Sequence, residues 1–521
     1  VIRRRDLLTA VGGVLVGAQS RAETLVVVTE SGQNSLDPQG LGVNQAGFGI
    51  SWNVYDRLIG FGTRTLEDGN RSFDFATLVP ELAAQWQFAA DGNSVTFFLR
   101  RDAIFHDGAP VTARDVKWSL DRAVSNPAPA SQMRAGSLQK PEQFVVVDDH
   151  TIRVDFLDHS RLTMPDLAVI QPAIFNSALC LEHATADDPW AMAWTRTNAA
   201  GSGAFSVESW TPRQETVLVR NETWVCGKRP AFGRIVVREI PSAGNRRAML
   251  QRGDADISFD LPPRDYAELS RDRKFSILGV PAPNTFQYIG MNTRKPPFDD
   301  VRVRQAVAWA LPYEKIFATA LQGRARKLFN GAANSGDLSW PQPFFYHTDF
   351  DRARALLGQA GLAGGFATSL SFDLGTATVD EPIALFVQEA LGGIGIKADI
   401  TRLPPGQLRG AIARRDPPFY LFSFGAWFDT VDYFFSLLYD GALTSPSNGA
   451  AFENPAVHEA IADARKNLDP QAIRTMISTA MQDVPYIPLV QPFVNVAMQK
   501  DIGGYVNMFH RQLDYRLLTH A

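Results

Sequence analysis

Two cysteines in 521 residues are too few for a disulfide-stapled scaffold. Cys180 and Cys226 lie far apart in the chain and lack the paired spacing of a zinc site. In an oxidising compartment they can bridge, but sequence does not set their separation, so a disulfide and two buried thiols both stay open. Histidine is scarce as well, with eight scattered residues. His106 reads as a turn residue in His106-Asp107-Gly108, and His183 beside Glu182 and Asp187-Asp188 as part of a solvated loop rather than a metal site. The patterns H-E-x-x-H, G-x-x-x-x-G-K-[ST] and G-x-S-x-G are all absent, which removes the motif-based routes to a metalloprotease, a P-loop NTPase or an α/β-hydrolase. A Ser/His/Asp triad assembled in space would leave no such trace. No cofactor is implied. Excess positive charge is also missing: the net charge of −4 gives no support to nucleic-acid binding. No apolar run reaches the roughly 20 residues a membrane-spanning helix needs. There is no internal repeat and no low-complexity linker.

What is present is globular. Hydrophobic residues make up 45% and charged residues 20%, an ordinary balance for a packed chain. The length exceeds one average domain, and without a flexible linker the chain is expected to cross between domains more than once. Thirty-four phenylalanines can serve large cores or a cleft wall. Residues 1–22 differ from the rest. Arg3-Arg4-Arg5 precede an apolar run from Leu7 to Ala18, the order of a secretory signal, and Arg4-Arg5-Asp6-Leu7-Leu8 resembles a twin-arginine export motif. Cleavage near Ala22 would leave an exported, soluble chain with no cysteine there to carry a lipid.

Local patterns give alternating strands and helices. Val95, Phe97 and Leu99 alternate as a half-buried strand between two turns. Thr112 and Asp115 form a capping box for a helix with Val116 and Leu120 on one face. Strands are expected at Leu25 to Val28, Thr216 to Arg220 and Ile235 to Glu239, and a helix ending at Gly253. Gly201-Ser202-Gly203 reads as a tight turn into a strand from Phe205 to Trp210 rather than a phosphate cradle, because no helix follows it. Further helices carry Val303, Ala306, Val307 and Ala310, and Ile383 to Leu391. The stretch from Phe419 to Tyr439 is very apolar, with Asp429 and Asp432 among aromatics; Asp432 suits the cap of a helix beginning near Tyr433.

The wording from Pro80 to Val116, PELAAQW…DGNSVTFFLR…FHDGAPVTARDV, resembles the signature of the family 5 extracellular solute-binding proteins, the peptide- and nickel-binding receptors of ABC importers. SLDP (35–38), GSGAFSVESW (201–210), RGDADI (252–257), MNTRKPPFDDVRVRQAVAWAL (291–311) and GIGIKADI (393–400) follow in that family's order. The resemblance implies an α/β, two-lobed periplasmic binding protein fold (type II, cluster C) with an extra subdomain in the first lobe. Lobe I would hold residues 23–287, including a subdomain at about 61–198, and the return segment 491–521; lobe II would hold 288–490. The implied function is a periplasmic receptor that binds a solute, foremost a short peptide, between closing lobes and delivers it to an inner-membrane ABC permease, as a monomer and without catalysis. Opines, oligosaccharides, glutathione and nickel chelates are the alternative ligands within that class, and an exported hydrolase is the rival from another class.

By position, Asp429 falls where the family's Asp accepts a peptide α-ammonium group, although the residues after it, Thr430-Val431-Asp432-Tyr433, depart from the family's Y-P-D-P. Trp427 and Gly425 stand beside it. Gly42, Val43 and Asn44 follow the first strand, where relatives offer backbone groups; Phe259 and Asp260 face the cleft in relatives; Tyr288 lies on the first crossing. Simple packing is the alternative for each.

Overall fold

The computed structural model describes residues 23–521 apart from 159, 284, 333–335, 405 and 443–444, and the side chains of 466 and 467. The segment read as an export signal lies outside them.

The first strand, Thr24–Thr29, is β-branched and apolar and buries Leu25, Val27 and Val28. It runs parallel to Arg234–Glu239, with Leu25 opposite Ile235, and parallel to Ile257–Ser258. Glu215–Arg220 and Phe205–Thr211 extend this block antiparallel at its edge. A second block centres on Thr285–Met291, paired with Phe419–Gly425. Beyond it, Phe366–Asp373 and Ile396–Leu403 run parallel, joined by the helix Ala377–Gly392, which buries Ile383, Val387 and Leu391.

One strand belongs to both blocks. Tyr486–Gln499 is fourteen residues long, roughly 46 Å at about 3.3 Å per residue. Its first half pairs with Thr285–Met291 (Tyr486 opposite Gly290) and its second half with Phe275–Pro281 (Val494 opposite Val280). Pro488 cannot donate to a ladder, and the register shifts beside it, between Gln287 and Tyr288. The result is a twelve-stranded mixed sheet among the described residues. A separate four-stranded antiparallel sheet holds Ala83–Phe88, Ser94–Leu99, Thr151–Asp155 and Phe144–Asp148 in that spatial order. Against it packs the helix Ala113–Ser125, whose Val116 and Leu120 are fully buried. The Asp115 carboxylate accepts from the Thr112 N–H at 2.9 Å, as the capping box requires.

The turn at Gly201–Gly203 needs glycine for close approach: a Cβ on Gly201 would stand 2.1 Å from the Val54 carbonyl oxygen. Gly253 ends the helix Ala243–Arg252 in the left-handed region, with φ of 75°. The helix expected near Tyr433 begins earlier, at Val431, and Thr430 holds the cap position. Asp432 is therefore inside the first turn and is not the cap. Both cysteines are free and buried. His106 ties its turn to the Gly203 carbonyl at 2.9 Å, with its pKa lowered by burial. His183 stacks on Trp194, ring centroids 4.3 Å apart.

Candidate functional site

Two cavities lie between the two sheet blocks, and a third adjoins them within the first block. The largest, about 1030 Å³, is walled on one side by Gly40–Val43, the helical segment around Arg134 and the loop at Arg161, and on the other by Phe424–Trp427, Asp432–Tyr433 and Arg465. A second, about 400 Å³, shares Arg409, Gly425 and Ala426 with the first. The third, about 380 Å³, shares Gln45 and Arg511 with the second. Shared wall residues connect the three, and each is comparable in size to a small-molecule site.

The loop from Gly40 to Val43 is held from below. Asp37 is buried and accepts bidentately from the buried guanidinium of Arg122, at 3.1 and 2.5 Å, while Gln39 Oε1, Thr195 Oγ1 and the Trp190 carbonyl accept its other N–H groups. Gly42 adopts φ of 77°, a conformation glycine enters without strain, and its carbonyl accepts from the Asn34 amide at 2.9 Å. Asn44 is spent on structure. Its side-chain oxygen caps the helix Gln45–Val54 through the Gly47 N–H at 2.9 Å, and its amide donates to the Gly32 carbonyl.

Of the residues singled out by sequence, Gly42, Val43, Gly425 and Trp427 come together on the largest cavity. Phe259 and Asp260 line the third. Tyr288 is 1% exposed and packs edge-on against Tyr486 at 5.0 Å, in the core rather than on a cavity wall. Asp429 is partly buried, has an interaction partner, and lies outside the walls of these three cavities.

Several contacts among the described residues cross the cleft. The Trp427 indole stacks on the His510 imidazole and meets Phe48 edge-on at 5.6 Å. Tyr433 donates its hydroxyl to the Gln132 side-chain oxygen at 3.2 Å. Arg161 donates to Asp432 Oδ1, and Arg465 Nε stands 3.9 Å from Asp432 Oδ2. Asp432 is 1% exposed, and Oδ2 accepts no hydrogen bond; Arg161 Nε likewise donates none. Sequence reading missed this role of Asp432. An acidic residue in a helix's first turn is favoured by the dipole, but its partner lies 271 positions away.

His510 and Arg511 are consecutive non-glycine residues at φ of 54° and 62°, a strained conformation of the kind found at ligand clamps. Gln45 holds the turn by donating to the His510 carbonyl at 2.5 Å while meeting the ring Nδ1 at 3.2 Å. Burial, with Arg511 adjacent, pulls the His510 pKa down to about 3, so the ring is neutral at neutral pH. Burial raises Asp380, on the second cavity, to about 7, despite donors from Gln287 at 2.6 Å and Thr376 at 2.5 Å. The cleft can thus hold a small polar solute between aromatic, backbone and charged surfaces.

Residues 77–445 match the bacterial extracellular solute-binding proteins, family 5 middle. The probable D,D-dipeptide-binding periplasmic protein DdpA of Escherichia coli is 28% identical over 498 residues, spanning 93% of this chain and 91% of that protein. The glutathione-binding protein GsiB of Pectobacterium atrosepticum is 26% identical over 97% of this chain and 96% of its own length. Among solved structures, the periplasmic binding protein DppA of Helicobacter pylori in complex with the peptide STSA superposes with a TM-score of 0.77 at 20% identity, over 95% of this chain and 98% of that one. NikA of Brucella suis with Fe(III)-EDTA does so with a TM-score of 0.79 at 19% identity, over 96% and 100%.

Proposed function

The chain belongs to the family 5 bacterial extracellular solute-binding proteins, and on that premise we propose that it is the periplasmic receptor of an ABC importer for a short peptide. The observation that carries the reading is the groove between the two sheet blocks, joined by contacts that a hinge closure would make and break. Lobe I in this reading comprises residues 23–287 and 491–521, with the four-stranded sheet in its subdomain, and lobe II residues 288–490. Support for the return crossing is the single strand Tyr486–Gln499, which pairs with both blocks.

A peptide laid along Gly40–Val43 and Gly425 meets backbone N–H and C=O groups, the recognition mode least dependent on side-chain identity. Trp427 offers an aromatic surface beside them. Asp432 lines the largest cavity but is held by Arg161, and Asp429 stays the proposed contact for a peptide's amino group. Relatives described as D,D-dipeptide- and glutathione-binding support a peptide-like solute. The receptor acts by capture and release, with no covalent step, after export directed by residues 1–22.

Native mass spectrometry of the chain purified from its own periplasm tests the ligand. A retained mass that leaves on denaturation and fragments as a peptide is expected. A retained sugar, opine or metal chelate would overturn the peptide reading while leaving the receptor class intact. If the chain arrives bare, short peptides should raise its melting temperature, by about 2.7 kcal/mol of stabilisation at one hundred times Kd.

A further inference from the structure

The largest cavity is rich in positive charge although the protein as a whole is acidic, with a net charge of −4. Four arginines, Arg134, Arg161, Arg409 and Arg465, face two aspartates, Asp158 and Asp432, and no lysine, histidine or glutamate lines it. Asp432 is already compensated by Arg161 and, at 3.9 Å, by Arg465. Arg134 and Arg409 have no carboxylate partner among the described residues; the Arg409 guanidinium only overlies the Phe422 ring, 5.9 Å from its centroid. Arg134 comes from the helical segment on one side of the cleft and Arg409 from the helix Gln407–Ala413 on the other. An unpaired guanidinium on each wall is a poor fit to a neutral solute and a good fit to carboxylates spread along the ligand. The excess is local to the largest cavity: the adjoining second cavity, which Arg409 also lines, carries Asp373 and Asp380.

We infer that the ligand is a short peptide of net negative charge, its acidic groups received by Arg134 and Arg409 from opposite walls. The inference rests on the peptide-receptor reading above and narrows it.

The test uses three tripeptides that differ in one side chain: Ala-Glu-Ala, its amide Ala-Gln-Ala, and Ala-Lys-Ala. Calorimetric titration into the full mature chain is expected to show the glutamate peptide binding about tenfold more tightly than the glutamine peptide, with the lysine peptide weakest and the differences shrinking as salt is added. In Arg134→Gln/Arg409→Gln the acid-to-amide ratio should fall toward one. Both arginines are exposed to the cleft, so the fold should survive, and each single substitution serves if the double does not. Equal binding of glutamate and glutamine peptides, or preference for lysine, would overturn the charge inference and leave the peptide receptor standing. A preference that persists undiminished in the variants would overturn the assignment to these two arginines. Failure of all three peptides to bind would overturn the peptide reading and this inference with it.

Discussion

The indole of Trp427 lies on the imidazole of His510, with ring centroids 3.9 Å apart and 21° between the planes. The first residue follows the strand Phe419–Gly425 and the second sits in the C-terminal loop, so the stack joins the two sheet blocks across the groove. Burial, with Arg511 adjacent, holds the His510 pKa near 3.

That depression gives the closed cleft a pH dependence with a definite sign. When the cleft opens, His510 rehydrates and its pKa returns toward the ordinary value of about 6.5. The open form therefore takes up a proton that the closed form refuses. Stability of the closed form should be complete above about pH 6.5 and lost progressively as pH falls toward 3. Ligand affinity measured by titration is expected to weaken through this window, and His510→Gln should flatten the acid limb. An unchanged acid limb in that variant would show that the stack does not govern closure.

Asp37 and Arg122 are a buried pair under the loop that lines the largest cavity. Asp37→Ala strands a buried guanidinium and should cost about 3–5 kcal/mol in urea unfolding. Replacing Arg122 as well should recover part of that loss, because the uncompensated charge is then gone.

Asp166 is buried, and its pKa is pushed up to about 8, although the Gln132 amide and the Gly136 N–H both donate to it. Between about 4 and 8 the native chain holds a proton that the unfolded chain has released, so this group's contribution to stability should fall as pH rises through that range. Asp166→Asn is expected to reduce the slope of melting temperature against pH there. A slope identical to wild type would place the titration elsewhere.

Burial raises the thiol pKa of Cys180 to about 12 and raises that of Cys226 well above its ordinary value. Neither should react with a thiol reagent in the native state, and both should react after denaturation. A reducing agent should leave the melting temperature unchanged. A drop in stability on reduction would point to a disulfide in solution.

Much of the architecture is legible in local chemistry. The strand Ser94–Leu99, the capping box at Thr112 and Asp115, the left-handed stop at Gly253 and the apolar face of the helix Val301–Ala310 each depend on residues within a few positions of one another. Such short-range rules act before any tertiary contact forms. The ordered run of family motifs extends this reading over nearly the whole chain after residue 23, and with it the receptor class.

The binding surface obeys different physics. Tyr288, Asn44 and Trp427 look alike as polar or aromatic candidates in the sequence, yet the first is core, the second a helix cap, and the third a bridge across the cleft. Asp429 and Asp432 differ by three positions, and only the second lines the largest cavity. Its partners Arg161 and Arg465, and the unpaired Arg134 and Arg409, are gathered from segments hundreds of residues apart. Most elements, the cap at Thr112 and the family follow from the chain alone, because periodicity and capping are local. Which side chains meet in the groove, and with what charge, was decided by tertiary structure alone, because burial and Coulomb interactions depend on distance in space and not on separation along the chain.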